Sequence, residues 1–386
     1  MKTPHLIAGL GLLLNFSYLR GQNHAIGSSD YALPDPARPG RTVQVRLFYP
    51  ALTHGNNTPW SSGTFPLISF GHGFAMSYTA YQNIWEYFVS RGYAMAMVDM
   101  ENAVIPPPSH SDFGQDIRWA AKELLNRSAN SSTDPIFGRL NGKAAFMGHS
   151  MGGGSSVLGA AIETGFPDAV VGLSAAETNP SAVNAASQVT SPCLMLAGEK
   201  DMVTPPSQHQ VPIFNALGSS CKVYAEIKGG IHCYYALANL ACDFGETTSG
   251  SQPGISRAQQ QQATYDIVEP FLAWHLKNAS AGPFLNMLGD NRYSVVNSCA
   301  FTNLRDNEEN FDALDCIQGS DGLHITFREK GLFSVYNLQG VRLFHRRVEA
   351  GVRLHIPDLP SGILVGHLDT GLGQAVRRFA TVISHP

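Results

Sequence analysis

Short apolar runs alternate with helix-like segments over roughly the first 280 residues of the chain. Residues 41–49 alternate apolar and polar positions with a period of two, which predicts an antiparallel or edge strand. Continuous apolar runs predict buried strands over residues 66–70, 93–99, 144–147, 168–173, 193–197 and 222–227. Helical spacing predicts helices over residues 78–89, 113–125, 151–163, 206–217 and 256–277. This alternation predicts an α/β fold, in which helices cover both faces of a mostly parallel central sheet.

The pattern changes beyond His324, where short strands separated by turns replace the alternation. The candidate strands are Ile325–Phe327, Leu332–Tyr336, Val341–Phe344, Val352–Ile356 and Ile363–Leu368. They predict a small antiparallel β-sandwich of about sixty residues. The stretch from about residue 281 looks irregular, and its charged run Arg305–Glu309 predicts a solvated linker. The expected division is a signal peptide over 1–21, a catalytic domain over 22–302, a linker over 303–323 and a sandwich over 324–386.

The N-terminal segment predicts export. Lys2 precedes the apolar run Leu6–Leu14, which is too short to cross about 30 Å of hydrocarbon and is typical of a cleaved signal peptide. Cleavage is expected near Gly21, and no later stretch is apolar for eighteen uninterrupted residues, so we expect a secreted protein without a membrane span. A net charge of −4 argues against nucleic acid or an anionic membrane surface as a partner.

The cysteines favour disulfides over a metal site. An even number in an exported chain without a Cys-x-x-Cys pair is typical of disulfides, and six cysteines allow fifteen pairings. They are Cys193, Cys221, Cys233, Cys242, Cys299 and Cys316. Cys242 closes a short loop behind Cys233, and Cys193 and Cys221 begin strands expected to lie side by side. That some cysteines remain buried thiols stays open.

A Gly-x-Ser-x-Gly motif follows the apolar run 144–147 and precedes a run of small residues. A strand, this turn and a helix form the nucleophile elbow, in which a strained serine exposes its hydroxyl. Ser150 is therefore the candidate nucleophile, and Gly148 and Gly152 leave room where strand and helix cross. The alternative is a glycine-rich turn without chemistry.

A serine hydroxyl needs a base and an acid, which follow it in this order: serine, acid, histidine. Asp201 lies in the loop after the strand 193–197, and His232 follows the strand 222–227 after two glycines. Glu199 is the alternative acid, whereas Asp99 precedes the serine and is expected to be structural.

The oxyanion hole is expected to use two backbone N–H groups. One belongs to Met151, directly after the nucleophile, and the other to Phe74, in the loop after an early strand. The Phe74 ring is expected to form a wall of the acyl pocket. We expect His72 and His149 to be structural supports whose side chains point away from the reacting centre.

Residues 41–277 resemble the α/β-hydrolases of the bacterial cutinase and polyester-hydrolase group, which is related to dienelactone-hydrolase-like esterases. The matching motifs are His72–Phe74, Gly148–Gly153, Ala197–Asp201 and Gly229–His232. The resemblance implies a catalytic triad of Ser150, Asp201 and His232, oxyanion donors at Phe74 and Met151, and no metal or organic cofactor.

One stretch departs from this group. Actinobacterial cutinases carry a Pro-Trp-His-like segment that clamps aromatic polyesters, and here the corresponding residues 174–180 contain no tryptophan. Phe74, Tyr78 and Tyr234 are the expected pocket residues, with Tyr235 nearby.

The last sixty or so residues resemble the C-terminal sorting domain of the type IX secretion system, through the turns Tyr336–Gly340 and Leu359–Ile363. This resemblance implies the secretion machinery as a partner, followed by removal of the domain or attachment to the cell surface.

Together these features predict a secreted serine carboxylic ester hydrolase, resembling esterases, lipases and cutinases, with poly(ethylene terephthalate) among its candidate substrates. We expect a monomer. Two alternatives are a non-catalytic binding module for surface polymers or carbohydrates on a hydrolase fold, and a serine peptidase or acyltransferase.

Overall fold

The structure, a computed structural model, describes residues 23–299, 314–319, 322–337, 341–357, 362–369 and 374–381. The predicted signal peptide, the charged run Arg305–Glu309 and the greater part of both predicted sorting-domain turns lie outside these residues.

A ten-stranded sheet forms the centre of the larger unit. Its strands are β1 Ala25–Pro34, β2 Thr42–Ala51, β3 Gly55–Asn56, β4 Phe65–Gly71, β5 Ala94–Val98, β6 Leu140–His149, β7 Ala169–Leu173, β8 Cys193–Gly198, β9 Lys222–Ile227 and β10 Tyr293–Asn297. Their order across the sheet is β10-β9-β8-β7-β6-β4-β5-β2-β1-β3. Strands β4 to β9 run parallel, and β2 and β10 flank them in antiparallel pairings with β5 and β9. The carboxyl ends of six strands therefore meet at one edge.

Helices cover both faces of this sheet. They are α1 Gln82–Ser90, α2 His110–Asn130, α3 Met151–Ala160, α4 Ala182–Ala186, α5 Gln210–Ala216, α6 Leu240–Ser249, α7 Arg257–Leu276 and α8 Gly282–Leu288. Side chains alternate across each strand, so neighbours in β6 enter different apolar cores. Met147 belongs to the same apolar core as Phe271 of α7, whereas Phe146 belongs to the core on the other face, with Phe113 of α2. The expected fold, an α/β-hydrolase with a mostly parallel sheet, is confirmed.

Six elements of the larger unit are absent from the sequence-based prediction, among them the two-residue strand β3 and the short helix α4. Residues 25–34 form β1, which pairs with β2 along its whole length. Helix α8 and strand β10 lie in the stretch expected to be irregular, and α6 follows the candidate base. β10 lies at one edge of the sheet and β1 lies next to the other edge, and both are stabilised by tertiary pairing, which a local hydrophobic pattern does not encode.

The C-terminal residues form two antiparallel sheets, with strand orders β11-β12-β15 and β14-β13-β16-β17. The strands are β11 Leu314–Gly319, β12 Gly322–Phe327, β13 Gly331–Asn337, β14 Arg342–Val348, β15 Arg353–Ile356, β16 Gly362–Asp369 and β17 Gln374–Thr381. Ile325, Phe327 and Phe333 belong to their shared apolar core. The small antiparallel unit is confirmed, but β11 lies inside the predicted linker 303–323, so the unit begins earlier than expected.

Two disulfides lie in the larger unit. One joins Cys221, before β9, to Cys299, just after β10, and the other joins Cys233 to Cys242. Cys193 and Cys221, which begin neighbouring strands as expected, do not pair with each other. Cys193 is in register with Lys222, so the neighbouring Cys221 points to the other face, and the Cys193 thiol is buried and free, with its Sγ 3.1 Å from the Ser191 carbonyl.

The side chain of Cys316 lies outside the described residues, so its pairing stays a prediction. Within the described part of the chain, no helix combines the length and apolar character needed to cross a bilayer.

Candidate active site

Ser150 occupies the sharp turn between β6 and α3. Its backbone has φ 54° and ψ −119°, a conformation that non-glycine residues rarely adopt. The surrounding structure holds it there: the Ser150 N–H donates to the Leu173 carbonyl at 3.0 Å, and the Ser150 carbonyl accepts from the Ala176 N–H at 2.9 Å. Such backbone strain persists where neighbouring contacts over-determine it, and it clusters at functional sites.

Two glycines allow the elbow to close. A Cβ at Gly148 would lie 2.2 Å from the Gly152 carbonyl oxygen, and a Cβ at Gly152 would lie 2.1 Å from the Gly71 carbonyl oxygen. The first turn of α3 therefore packs directly against the loop that follows β4. Met151 and Phe74, the expected oxyanion donors, belong to these two touching segments.

Asp201 and His232 form a buried pair. The His232 Nδ1 lies 2.8 Å from Asp201 Oδ2, and the two residues are 2% and 1% exposed. The other carboxylate oxygen accepts from the backbone N–H groups of Val203 at 2.9 Å and Thr204 at 2.8 Å, and the Thr204 hydroxyl lies 3.0 Å from Oδ2. The carboxylate is thus satisfied on both oxygens, which fixes its orientation toward the imidazole.

These contacts keep Asp201 ionised. Burial by itself would raise the pKa of this carboxyl, but the hydrogen bond and charge of His232 and the Thr204 N–H outweigh it, so the pKa of Asp201 lies below its usual value. An ionised acceptor holds the proton of neutral His232 on Nδ1. The Nε2 atom then carries the lone pair that a general base needs.

Hydrogen bonds join the two loops that carry the candidate acid and the candidate base. The Lys200 N–H donates to the Gly230 carbonyl at 2.8 Å, and the Glu199 carboxylate accepts from the Gly229 N–H at 2.7 Å. Glu199 therefore braces the base loop and does not contact His232. Asp99 accepts a hydrogen bond from Asn102, in keeping with the structural role expected of it.

Hydrogen bonds hold the backbone on both sides of His232. Gln260 of α7 accepts from the Ile231 N–H at 2.9 Å and donates to the Ile231 carbonyl at 2.7 Å. On the other side, the buried Glu246 accepts from the Cys233 N–H at 2.6 Å, and the Cys233–Cys242 disulfide ties the same residue to α6.

Thr204, Gln260 and Glu246 are contributors that sequence reasoning missed. Thr204 lies three residues after Asp201, and threonine beside aspartate in a loop is a recognisable local hydrogen-bonding pattern. Gln260 and Glu246 reach the site from separate helices, and their spacing in sequence carries no such signal.

The two histidines expected as supports are both buried. His72 is 1% exposed, and its ring nitrogens lie 2.8 Å from the carbonyls of Gly73 and Met100. His149 is fully buried, yet its ring lies 4.7 Å from that of His232 and its Nε2 lies 3.0 Å from the His232 carbonyl. His149 thus packs against the candidate base, contrary to the expectation that it points away from the site.

The expected pocket residues occupy different surroundings. Phe74 is 48% exposed and free to contact a ligand, as is Met202, beside Asp201, at 54%. Tyr78 packs against Phe48 with ring centroids 6.2 Å apart, and Tyr234 lies under the Arg257 guanidinium. Contact of Tyr78 and Tyr234 with a substrate stays a prediction.

Comparisons with known proteins agree with this geometry. Residues 46–249 match the family described as PET hydrolase-like, and this range includes Phe74, Ser150, Met151, Asp201 and His232. Cutinase 1 of Thermobifida cellulosilytica is 26% identical over 177 residues, which cover 45% of this chain and 63% of that protein. A cutinase of Thermobifida fusca strain YX is 26% identical over 177 residues, covering 45% of this chain and 54% of that protein. Bis(hydroxyethyl) terephthalate hydrolase of Streptomyces coelicolor is 28% identical over 192 residues, covering 48% of this chain and 54% of that protein.

The alignments with these three relatives thus span 54 to 63% of the relatives' lengths. The family match covers more than half of the 386 residues and contains the candidate triad and both candidate oxyanion donors. The chain belongs to the PET hydrolase-like family.

Proposed function

We propose that this protein is a secreted serine carboxylic ester hydrolase that acts through an acyl-enzyme. The observation that carries the proposal is the buried Asp201–His232 pair, 2.8 Å apart, at the same sheet edge as the strained Ser150. Its residues follow in the order serine, acid, histidine that this fold uses.

In the proposed reaction, His232 Nε2 takes the proton of the Ser150 hydroxyl as Oγ attacks the ester carbonyl carbon. The carbonyl π electrons move to oxygen, and the N–H groups of Phe74 and Met151 stabilise that oxyanion. Each donor of this kind typically contributes about 3 kcal/mol to the transition state. The tetrahedral intermediate collapses, and the alcohol leaves with the proton from His232 Nε2.

Water completes the cycle. His232 takes a proton from water, whose oxygen attacks the acyl carbon, and the intermediate releases the acid and returns a proton to Ser150. Asp201 remains ionised throughout and stabilises the imidazolium. No step requires a group that this chain lacks.

We further propose polyesters as a substrate class, because the relatives are named as cutinases and as a terephthalate-ester hydrolase. The exposed side chains of Phe74 and Met202 offer apolar contact beside the reacting centre. Residues 174–180 carry Glu177 and no tryptophan, and the Glu177 carboxylate accepts from the Val183 N–H at 3.0 Å. We therefore expect aliphatic esters to be cleaved faster than aromatic polyesters.

Export is part of the proposal. Two disulfides fit an oxidising compartment, in agreement with the predicted signal peptide. Delivery by the type IX machinery rests on the resemblance of the C-terminal residues and stays a prediction, as does the monomeric state.

The test measures turnover of p-nitrophenyl esters of increasing chain length, and release of soluble products from an aliphatic and an aromatic polyester film. We expect the wild-type chain to hydrolyse the soluble esters and Ser150→Ala to lose that turnover. Cleavage of peptides, or transfer to an added alcohol in preference to water, would favour a peptidase or acyltransferase. Polymer binding without turnover would favour the binding module.

A further inference from the structure

A chain of hydrogen bonds connects the two halves of the candidate site beneath Ser150. His149 Nε2 lies 3.0 Å from the His232 carbonyl oxygen, and His149 Nδ1 lies 2.9 Å from the Tyr81 hydroxyl. The Tyr81 hydroxyl in turn lies 2.8 Å from the backbone nitrogen of Gly73. All four residues are buried.

The chemistry of the groups fixes every proton in this chain. A carbonyl oxygen only accepts, so His149 must donate from Nε2, and in the neutral imidazole Nδ1 is then an acceptor. Tyr81 has one hydroxyl proton and gives it to Nδ1, the stronger acceptor compared with Met76 Sδ at 3.2 Å. The Tyr81 oxygen thereby accepts from the Gly73 N–H, and the order of donation is Gly73, Tyr81, His149, His232.

The neutral state of His149 agrees with its surroundings. Burial, followed by the charge of His232, lowers the pKa of His149 to about 3. The imidazole therefore holds one proton across the neutral pH range.

The ends of the chain reach the catalytic machinery. Gly73 precedes Phe74, the proposed oxyanion donor, and His232 is the proposed base. His149, in the middle, precedes the proposed nucleophile in β6. The hydrogen-bonded chain Gly73–Tyr81–His149–His232, called the brace below, thus connects the backbone segments that carry the proposed nucleophile, base and oxyanion donor.

We propose that Tyr81 and His149 are positioning residues that align the oxyanion loop and the base with Ser150. This inference rests on the proposed ester hydrolysis and deepens it. Neither residue touches the reacting atoms, so their loss should reduce the rate of the chemical step and leave substrate binding largely intact.

The test compares Tyr81→Phe with Tyr93→Phe in the full chain. Tyr93 is also fully buried, but its hydroxyl reaches Glu269 at 3.3 Å and lies on none of the site loops. We expect Tyr81→Phe to lower kcat for a soluble p-nitrophenyl ester about tenfold, with KM within about twofold of wild type. The rate of inactivation by a fluorophosphonate should fall in parallel, and Tyr93→Phe should change neither.

Two further substitutions distinguish the two hydrogen bonds of His149, one with Tyr81 and the other with His232. His149→Asn can still accept from Tyr81 and loses the donor to His232, whereas His149→Gln can place its amide N–H near the Nε2 position and retain that donor. We expect Gln to preserve more of kcat than Asn, and these variants decide the question if Tyr81→Phe does not fold.

The inference is overturned if Tyr81→Phe keeps kcat within twofold of wild type, or if Tyr81→Phe and Tyr93→Phe lower kcat by the same factor. Ester turnover by wild type and its loss in Ser150→Ala test the proposed function separately, so its failure is distinguishable from failure of the brace.

Discussion

The Glu199 carboxylate accepts from the backbone N–H of Gly229 at 2.7 Å, in the loop that leads to the candidate base. Glu199 is two residues before Asp201, and of these two carboxylates it is Asp201 that contacts the imidazole of His232. Two acidic side chains in one loop thus make separate contacts: Asp201 with the imidazole of the candidate base, and Glu199 with the backbone of the loop that carries it.

Asp201→Asn should therefore abolish most activity. The asparagine amide preserves the shape but can present an N–H to Nδ1, which favours the wrong tautomer of His232. Loss of kcat by a factor of about 10³–10⁴ is expected from this mechanism. Glu199→Gln is the matched control, because its amide oxygen can still accept from Gly229, and it should keep kcat near wild type. If Glu199→Gln lowered kcat for a p-nitrophenyl ester more than Asp201→Asn does, Glu199 would be the acid.

Gly152→Ala should damage both stability and activity. Its Cβ would lie 2.1 Å from the Gly71 carbonyl, so the elbow and the oxyanion loop must separate. Overpacking of this kind costs about 1–3 kcal/mol of unfolding free energy. Gly245→Ala, in α6, meets no atom within 4 Å and should stabilise by roughly 0.5–1 kcal/mol. Denaturant unfolding and kcat are measured for both variants. Equal effects of Gly152→Ala and Gly245→Ala on the free energy of unfolding would contradict the close contact at Gly152.

The two disulfides should differ in what they support. Replacing Cys233 and Cys242 by serine opens a short loop, with an expected loss of about 2.5–3 kcal/mol, and frees the residue next to His232. Replacing Cys221 and Cys299 opens a loop of sequence separation 78, with an expected loss of about 4–5 kcal/mol. We expect the first pair to lower kcat more and the second to lower stability more. If the same pair of substitutions caused the larger loss of both kcat and stability, the idea that the Cys233–Cys242 disulfide braces the loop of the candidate base would be contradicted.

His149 should make stability depend on pH. Burial lowers the pKa of His149 from its ordinary value of 6.5 to about 3 in the folded chain, so the unfolded state binds more protons between these two pH values. Stability contributed by the neutral histidine is therefore present above pH 6.5 and is lost as the pH falls toward 3.

His149→Gln should remove this contribution. Between pH 6 and pH 4, the slope of unfolding free energy against pH should decrease by about 1.4 kcal/mol per unit. Denaturant unfolding at several pH values gives the slope independently of the overall stability of the variant. An unchanged slope would show that His149 titrates normally in the folded protein.

Much of this site followed from local patterns. Ser150 was predicted from a turn with glycines on both sides, and the structure gives it the expected strained backbone. Asp201 and His232 were predicted from strand ends, and the parallel sheet places them together because the carboxyl ends of its strands share one edge. Their catalytic roles, and the donor roles of Phe74 and Met151, remain proposals.

Other features depend on contacts between residues far apart in sequence. The partner of Cys221 could not be derived, because Cys299 directly follows β10, an edge strand whose pairing with β9 is tertiary. Tyr81 and His149 come together from segments separated by 68 residues, and nothing in the spacing of either residue indicates the contact.

The most direct test of the central claim is active-site titration with diethyl p-nitrophenyl phosphate. We expect a burst of one equivalent of p-nitrophenolate per folded chain, loss of ester turnover in step with that burst, and a diethyl phosphoryl group on Ser150 in the digested protein. A modified residue other than Ser150, or ester hydrolysis that continues after complete reaction, would contradict it.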